Sequence, residues 1–463
     1  MNLDLTFEEL ARASGGRLLP PARPVPWTGT PQAPSGRVVS ISTDSRTLAQ
    51  GQVFWALKGA RFDAHDFLTA EIASRSSGWV VAAGRLKSGP RPANVIEVSD
   101  TLKALLSLAA HHRRRFDLPV VGITGSNGKT TTKEMVRCIC LRVGATCASV
   151  GNLNNQVGLP LSVLELTGQH RYGVFEMGAS RPGDIAELGA VTQPTVGVLL
   201  NIGPAHLEFF GSLEGAFKAK SELIAAVPAD GKVVVNTDDP WLAPLETGLG
   251  RRAVTFGLAP RSRVRIVPPD GLVIDRRKVR VRLDSFGDFN LANAAAAAAA
   301  AWAAGIDATA IVKGLEDFRP APMRLERMKH PSGCEVVLDA YNANPASMKA
   351  AILAFCREFS SKAKVLVLGD MKELGPESPR LHEELGVWLA GLPLRSVYLA
   401  GPEMANAFKP LAAAGVTFRV RHANEPQSWL EELRCEFAPD AALFLKASRA
   451  MRFEDILDRF GRA

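Results

Sequence analysis

The chain has 463 residues, of which 46% are hydrophobic and 22% charged. That composition is globular and excludes wholesale disorder, a collagen-like repeat and a disulfide scaffold. At roughly 150 residues per domain the length suits about three domains, and a net charge of +8 points to an anionic partner without saying of what size.

Residues 1 to 98 open on a short helical pattern. A proline-rich stretch follows (Pro20, Pro21, Pro24, Pro26, Pro31, Pro34), then a strand-like run from Arg37 to Ser42. These features predict a small α/β unit with a surface excursion. Apolar residues at 102, 105, 106, 108 and 109 predict a connecting helix over Thr101 to Arg115, ended by Leu118-Pro119. The start of the chain, Met1-Asn2-Leu3-Asp4-Leu5, lacks the basic and apolar regions of an export signal, so the expected location is the cytoplasm.

Residues 99 to 319 alternate short apolar runs (Val120 to Thr124, Val174 to Met177, Val196 to Asn201, Lys232 to Asn236) with helical stretches, which predicts a mostly parallel sheet. Eight consecutive alanines, Ala294 to Ala301, predict a buried, closely packed helix. The strongly apolar stretch around them, Ala294 to Ile306, is shorter than the ~20 residues that cross a bilayer, so no stable membrane insertion is expected. From 320 to 463 the runs Val336 to Leu338, Val365 to Leu368, Val397 to Ala400 and Ala442 to Leu445 predict a second, doubly wound α/β domain.

Six cysteines (Cys138, Cys140, Cys147, Cys334, Cys356, Cys435) form no paired zinc spacing and read as reduced structural thiols. Two basic clusters stand out, His111 to Arg115 and Arg276 to Arg282. In the second, alternation puts Arg280 and Arg282 on one strand face. With three tyrosines in the chain and no aromatics between the cations, both read as solvated faces, and nucleic acid is not expected as a partner.

The strongest local signal is Val120-Val121-Gly122-Ile123-Thr124-Gly125-Ser126-Asn127-Gly128-Lys129-Thr130: a strand, a glycine turn, then Lys-Thr opening a helix. Gly125 and Gly128 let backbone N–H groups approach phosphate oxygens. Lys129 reaches the β/γ oxygens of a triphosphate, and the Thr130 hydroxyl holds Mg²⁺. Residues Thr124 to Thr130, with Ser126 and Asn127 among them, are therefore expected to bind ATP. Only the compact G-x-x-G-K-T form is present, because Ile123 stands where a first glycine is usual.

Around this loop lie further blocks: Asp44-Ser45-Arg46; Gly151-Asn152-Leu153-Asn154-Asn155; Glu176-Met177-Gly178-Ala179; Gly203-Pro204-Ala205-His206-Leu207-Glu208; and Lys218-Ala219-Lys220. Later come Asn290-Leu291-Ala292-Asn293, Asp339-Ala340-Tyr341-Asn342-Ala343-Asn344-Pro345, Gly369-Asp370-Met371-Lys372-Glu373 and Lys446-Ala447-Ser448-Arg449. In that order they resemble the Mur ligase family, along nearly the whole chain. The Tyr-Asn-Ala-Asn-Pro and Gly-Asp-Met blocks resemble its branch that joins D-alanyl-D-alanine to UDP-N-acetylmuramoyl-tripeptide in peptidoglycan synthesis. The resemblance implies a UDP-substrate domain (1–98), a central ATP-binding domain (99–319) and a C-terminal domain (320–463) closing over the site; the chain is expected to act as a monomer. It also implies transfer of the ATP γ-phosphoryl group to the peptide carboxylate, then attack by the dipeptide amine on the acyl phosphate.

By the same resemblance Thr130 and Glu176 hold one Mg²⁺, a choice that also suits hard oxygen donors at a phosphate loop and a neighbouring strand end. His206 and Lys220 face a second, Lys220 as a carbamate formed with CO₂; Lys129, Lys220 and His206 are the expected catalytic residues. Asn290 contacts the adenine, while Arg324 and Asp339 contact ribose and phosphate. Asp44, Ser45, Arg46, Asn152, Asn154, Asn155, Tyr341, Asn342 and Asn344 are expected to hold substrate, since an arginine fork and amides suit pyrophosphate and sugar hydroxyls. The sequence departs from the family pattern at Phe289, where a histidine is common, which alters adenine stacking. It departs again at Met323 and Ala447, where glycines are common, which restricts the backbone. Two other readings are a related amide ligase, against which the setting of Glu377-Ser378-Pro379-Arg380 argues, and an ATP-gated scaffold, against which the set of expected metal ligands argues.

Overall fold

The computed structural model describes residues 1, 3–20, 37–59, 62–86, 88–204 and 207–460. The prolines expected to form a surface excursion lie outside the described residues, apart from Pro20, and so does His206.

Three larger sheets follow one another along the chain. In the first, strands Arg17–Leu18, Asn94–Val98, Gly78–Ala82, Val53–Trp55 and Ile41–Ser42 lie in that order, parallel except for the first pair. The expected strand from Arg37 to Ser42 is divided between two sheets. Arg37–Val38 pairs antiparallel with Leu5–Thr6, while Ile41–Ser42 pairs parallel with Val53–Trp55. The apolar alternation is continuous through that run, but the chain changes partner at Val39, which is exposed.

The central sheet has nine strands in the order Arg277–Arg280, Gly271–Ile274, Val264–Val267, Ala253–Gly257, Lys232–Asn236, Val196–Leu199, Val120–Thr124, Tyr172–Glu176 and Thr146–Ala148. The first three form an antiparallel ribbon and the rest run parallel. The Val120–Thr124 strand is fully buried between Val196–Leu199 and Tyr172–Glu176, at the point where chain order reverses across the sheet. A crevice outside the carboxyl ends of strands forms at such a point, and that is where open α/β sheets bind ligands.

The alanine run lies within the Asp288–Ala303 helix, and all eight alanines are fully buried among the sheet residues and the Lys129–Leu141 helix. Small side chains let helix and sheet approach closely, so this run fixes the floor under the phosphate loop. The third sheet holds Glu326–Lys329, Glu335–Asp339, Ala441–Lys446, Ala363–Gly369, Ser396–Ala400 and Arg419–Ala423, parallel except for the first pair.

The first basic cluster is not a solvated face, whereas the second is exposed at the edge of the central sheet. His112 and Arg113 are buried at the end of the Thr101–Arg113 helix. Arg113 donates to the carbonyls of Thr192 at 2.8 Å and Phe116 at 2.6 Å, and a His112 ring nitrogen lies 2.9 Å from the Leu166 carbonyl. These side chains satisfy loop carbonyls that would otherwise be buried without partners. In the second cluster Arg280 ends its strand and Arg282 lies beyond it. All six cysteines are free thiols, and no described helix is long and apolar enough to cross a membrane.

Replacing Ala297 with Leu forces a larger side chain into a fully buried site. We expect a loss of about 1–3 kcal/mol in urea unfolding; unchanged stability would mean that the helix is loosely packed.

Candidate active site

Between the central and third sheets lies a cavity of about 740 Å³. Its wall includes Ser126 to Thr130 of the phosphate loop, Glu176 at the end of its strand, and the asparagines Asn152, Asn154 and Asn155. From the last third of the chain come Arg324, Asp339, Tyr341, Asn342 and Lys446. The loop follows directly from the buried Val120–Thr124 strand, so its position is set by sheet packing.

Gly128 has φ +83° and opens the Lys129–Leu141 helix; a Cβ there would lie 2.3 Å from Asn293 Oδ1. Only glycine fits both the backbone and the space. Asn201, on the next strand end, ties the loop down: the Asn127 N–H donates to its Oδ1 at 2.9 Å and its Nδ2 donates to the Asn127 carbonyl at 3.1 Å. The Gly203 N–H donates to Ser126 Oγ at 2.8 Å. Lys129 Nζ donates to the carbonyls of Gly125 at 2.8 Å and Ser126 at 3.3 Å. Burial pushes the Lys129 pKa below the usual lysine value, with the Glu176 charge opposing that shift. Thr124 stands back from the cavity, and its hydroxyl donates to the Met177 carbonyl at 3.0 Å.

Glu176 is the hub of the wall. Its side chain is 2% exposed. It accepts from Thr130 Oγ1 at 2.8 Å and from Asn154 Nδ2 at 2.7 Å. Arg324 Nη2 donates to the same Thr130 oxygen at 2.9 Å, from the other side of the cavity, while its guanidinium stacks 4.1 Å above the Tyr341 ring. Asn344 makes a second bridge, donating to Asn127 Oδ1 at 2.8 Å while its own Oδ1 caps the Pro345–Glu358 helix. Gly375 packs on Glu208, so the third sheet's loops also touch the 207–210 helix. Asp339 accepts from Lys446 Nζ at 2.5 Å, and Lys446 also donates to the Asn342 carbonyl.

Asn290 lines the cavity with its amide already engaged: Nδ2 donates to Ser285 Oγ and the Phe286 carbonyl, and Oδ1 accepts from Asn293. Asn155 Oδ1 likewise accepts the Val157 and Gly158 N–H groups. Asp44, Ser45 and Arg46 lie outside the cavity wall. There Asp44 and Arg46 pair with each other at 2.6 Å, which lowers the Asp44 pKa to about 2.

Lys220 is 2% exposed on the Leu213–Ala226 helix, with Nζ 4.7 Å from the centre of the Phe210 ring. Burial, and then the Lys129 charge, bring its pKa down to about 7. A large share of this amine is therefore neutral at neutral pH.

Residues 123–301 match the Mur ligase middle domain, and residues 323–449 match the Mur ligase glutamate ligase domain. The UDP-N-acetylmuramoyl-tripeptide–D-alanyl-D-alanine ligase of Bacillus subtilis is 34% identical over 437 residues, covering 92% of this chain and 94% of that protein. The chain belongs to the Mur ligase family. The structure of MurF from Acinetobacter baumannii is similar with a TM-score of 0.87 and 32% identity, over 99% of this chain and 98% of that one. MurF ligase from Thermotoga maritima in complex with ADP is similar at 0.80 and 30%, over 91% and 96%.

The departures of this Mur ligase have local explanations. Met323 takes φ +59° and Leu325 φ +50°, on either side of Arg324. A left-handed L-residue costs about 1–2 kcal/mol, so Met323 occupies a conformation that glycine takes freely. Ala447 has no positive φ; its methyl fills the hollow beside Gly369, against Phe453. Phe289 joins Phe256 and Phe318 in the apolar part of the cavity wall.

Sequence reasoning missed Asn201, Phe256 and Phe318. Asn201 ends a recognised strand, but its reach to the loop depends on strand pairing; the phenylalanines converge only in the folded chain.

The unfolded chain keeps Lys220 protonated up to about pH 10.5, whereas the folded protein releases that proton near pH 7. This group's contribution to stability therefore rises with pH between those values and is least favourable below pH 7. The ¹³Cε resonance of Lys220, assigned by loss in Lys220→Arg, should titrate with a midpoint near 7; a midpoint at the ordinary lysine value would contradict the buried placement.

Proposed function

We propose that this Mur ligase is an ATP-dependent ligase that joins D-alanyl-D-alanine to UDP-N-acetylmuramoyl-tripeptide in peptidoglycan precursor synthesis, acting in the cytoplasm as a monomer. The observation that carries the reading is the convergence of a phosphate loop and a buried carboxylate with an arginine from the third sheet, Arg324 on Thr130 on Glu176.

The reaction has two balanced steps. A carboxylate oxygen of the tripeptide takes the γ-phosphoryl group of ATP and ADP leaves. The dipeptide amine then attacks the acyl carbon, phosphate departs with that oxygen, and the amine loses a proton. Both steps demand alignment and neutralisation of a polyanion more than covalent help from the protein. The backbone N–H groups of the loop and the helix behind Gly128 face the phosphates, and Lys129 turns from its loop carbonyls toward the β/γ oxygens. Arg324 brings a second cation from across the cleft, beside Asp339 and Tyr341. Asn290 shapes the adenine end, and Phe289 with Phe256 and Phe318 supplies its apolar surface.

Thr130 and Glu176 present hard oxygens with Asn154 behind the carboxylate. Among the described residues no group of three His, Cys, Asp or Glu gathers. That donor set suits Mg²⁺, which takes its remaining ligands from phosphate and water. Thr130 and Glu176 would hold the ion, which would supply positive charge against the triphosphate. Neutral Lys220 is a competent nucleophile toward CO₂, giving a carbamate and a proton, and the carbamate would serve with His206 toward a second cation. The two asparagine loops, Asn152 to Asn155 and Asn342 to Asn344, frame the peptide end, with Asp44, Ser45 and Arg46 toward the UDP end.

Three outcomes are expected. Purified protein should release phosphate with UDP-N-acetylmuramoyl-tripeptide, ATP and D-alanyl-D-alanine, and should not do so when meso-diaminopimelate or L-lysine replaces the dipeptide; the reverse preference would reassign the step. Lys129→Ala and Glu176→Gln should each lower kcat about 10²-fold or more, and Lys220→Ala should lose activity that short carboxylic acids partly restore. Full activity of Lys220→Ala without rescue would remove the carbamate.

A further inference from the structure

The basic excess is concentrated in one place. The 32 residues from Arg251 to Arg282 hold ten of the 55 lysines and arginines and two of the 47 acids, so the other 431 residues carry 45 of each sign. The whole net charge of the molecule resides in this segment.

In the fold the segment is the outer edge of the central sheet, the Ala253–Gly257 strand and the antiparallel ribbon beyond it. The register turns Val264, Ile266, Leu272, Ile274 and Val279 inward to the core under the alanine helix. The opposite face carries Arg265, Val273 and Lys278 in one cross-strand row and Val267, Gly271 and Arg280 in the next. Arg276 and Arg277 lie exposed at the turn, and Arg282 is exposed beyond the last strand. Internal pairing covers Arg261 with Glu246, Arg263 with Asp275 and Arg280 with Asp270. Arg251, Arg265, Arg276, Arg277, Lys278 and Arg282 form no ion pair among the described residues.

Like charges gathered on one edge repel one another, so the folded protein gains when an external anion spreads beneath them. The cations are spread along an antiparallel ribbon and lie outside the cavity of the candidate active site. The one aromatic of the segment, Phe256, is buried, and the neighbouring Trp302 ring is already stacked by the Arg263 guanidinium at 4.2 Å, so the ribbon lacks the interleaved free rings on which nucleic-acid bases stack. Leu258, at the end of the neighbouring strand, is 55% exposed beside the cations. A bilayer offers a plane of laterally mobile anionic headgroups with an apolar layer below, and matches both features. We infer that this ribbon is a docking face for anionic lipid, holding the protein on a membrane surface by charge and without insertion. The ribbon's outer strand lies six strands from the Val120–Thr124 strand, about 29 Å at ~4.8 Å per strand, so docking leaves the cleft open.

The test is co-sedimentation of the full chain with vesicles of phosphatidylcholine alone or with about 30% phosphatidylglycerol, at about 0.05 M and 0.5 M salt. The expected result is binding to the anionic vesicles only, abolished at high salt. The combined variant Arg276→Glu, Arg277→Glu, Lys278→Glu should lower the bound fraction roughly tenfold or more, with ligase turnover in solution unchanged. Should that variant fail to fold, Arg276→Gln with Lys278→Gln reads the same contrast by a smaller reduction. Equal binding to neutral vesicles, undiminished binding of the variants, or binding to duplex DNA with none to vesicles would each overturn the proposal.

Discussion

A carboxylate stripped of water at the end of a β-strand is costly unless donors surround it, and much of this protein's architecture supplies those donors for Glu176. Thr130 comes from the phosphate loop and Asn154 from the loop after the edge strand Thr146–Ala148. The Glu176 N–H is itself held by Ser149 Oγ at 3.0 Å, and the buried Lys133 fixes the Ser149 carbonyl. The phosphate loop, the asparagine loop and the strand end thus form one hydrogen-bonded unit whose register the parallel sheet sets.

That unit also determines how the last third of the chain sits. Arg324 reaches Thr130 and Asn344 reaches Asn127, so the third sheet is tied to the central one through the same two loop residues that flank Gly128 and Lys129. The left-handed backbone at Met323 and Leu325 aims Arg324 across the gap, and local strain is accepted for position. Asp339 and Lys446, on adjacent strands of the third sheet, keep a charged pair at the far wall.

Much of this was legible in the sequence. The phosphate loop announces itself because a strand, two glycines and Lys-Thr are contiguous, and the alanine run because only a close-packed buried helix uses it. Four strands of the central sheet and four of the third were marked by apolar runs, while short charged strands such as Glu326–Lys329 and Arg419–Ala423 gave no such signal, being exposed edges. The break between Val38 and Ile41 and the burial of His112 and Arg113 depend on partners far along the chain. The pairing of the exposed Arg46 with Asp44, two residues away, is a local feature that the sequence pattern leaves open. The concentration of net charge in one ribbon was countable from the outset, but its meaning required knowing that the segment forms one face.

The central claim is that the converged loop, carboxylate and arginine turn an inert acid into a mixed anhydride before the amine arrives. Isotope transfer addresses it most directly. UDP-N-acetylmuramoyl-tripeptide labelled with oxygen-18 in its terminal carboxylate, turned over with ATP and D-alanyl-D-alanine, should deliver one labelled oxygen to the released phosphate. Phosphate free of label, with amide formed at the normal rate, would contradict the account.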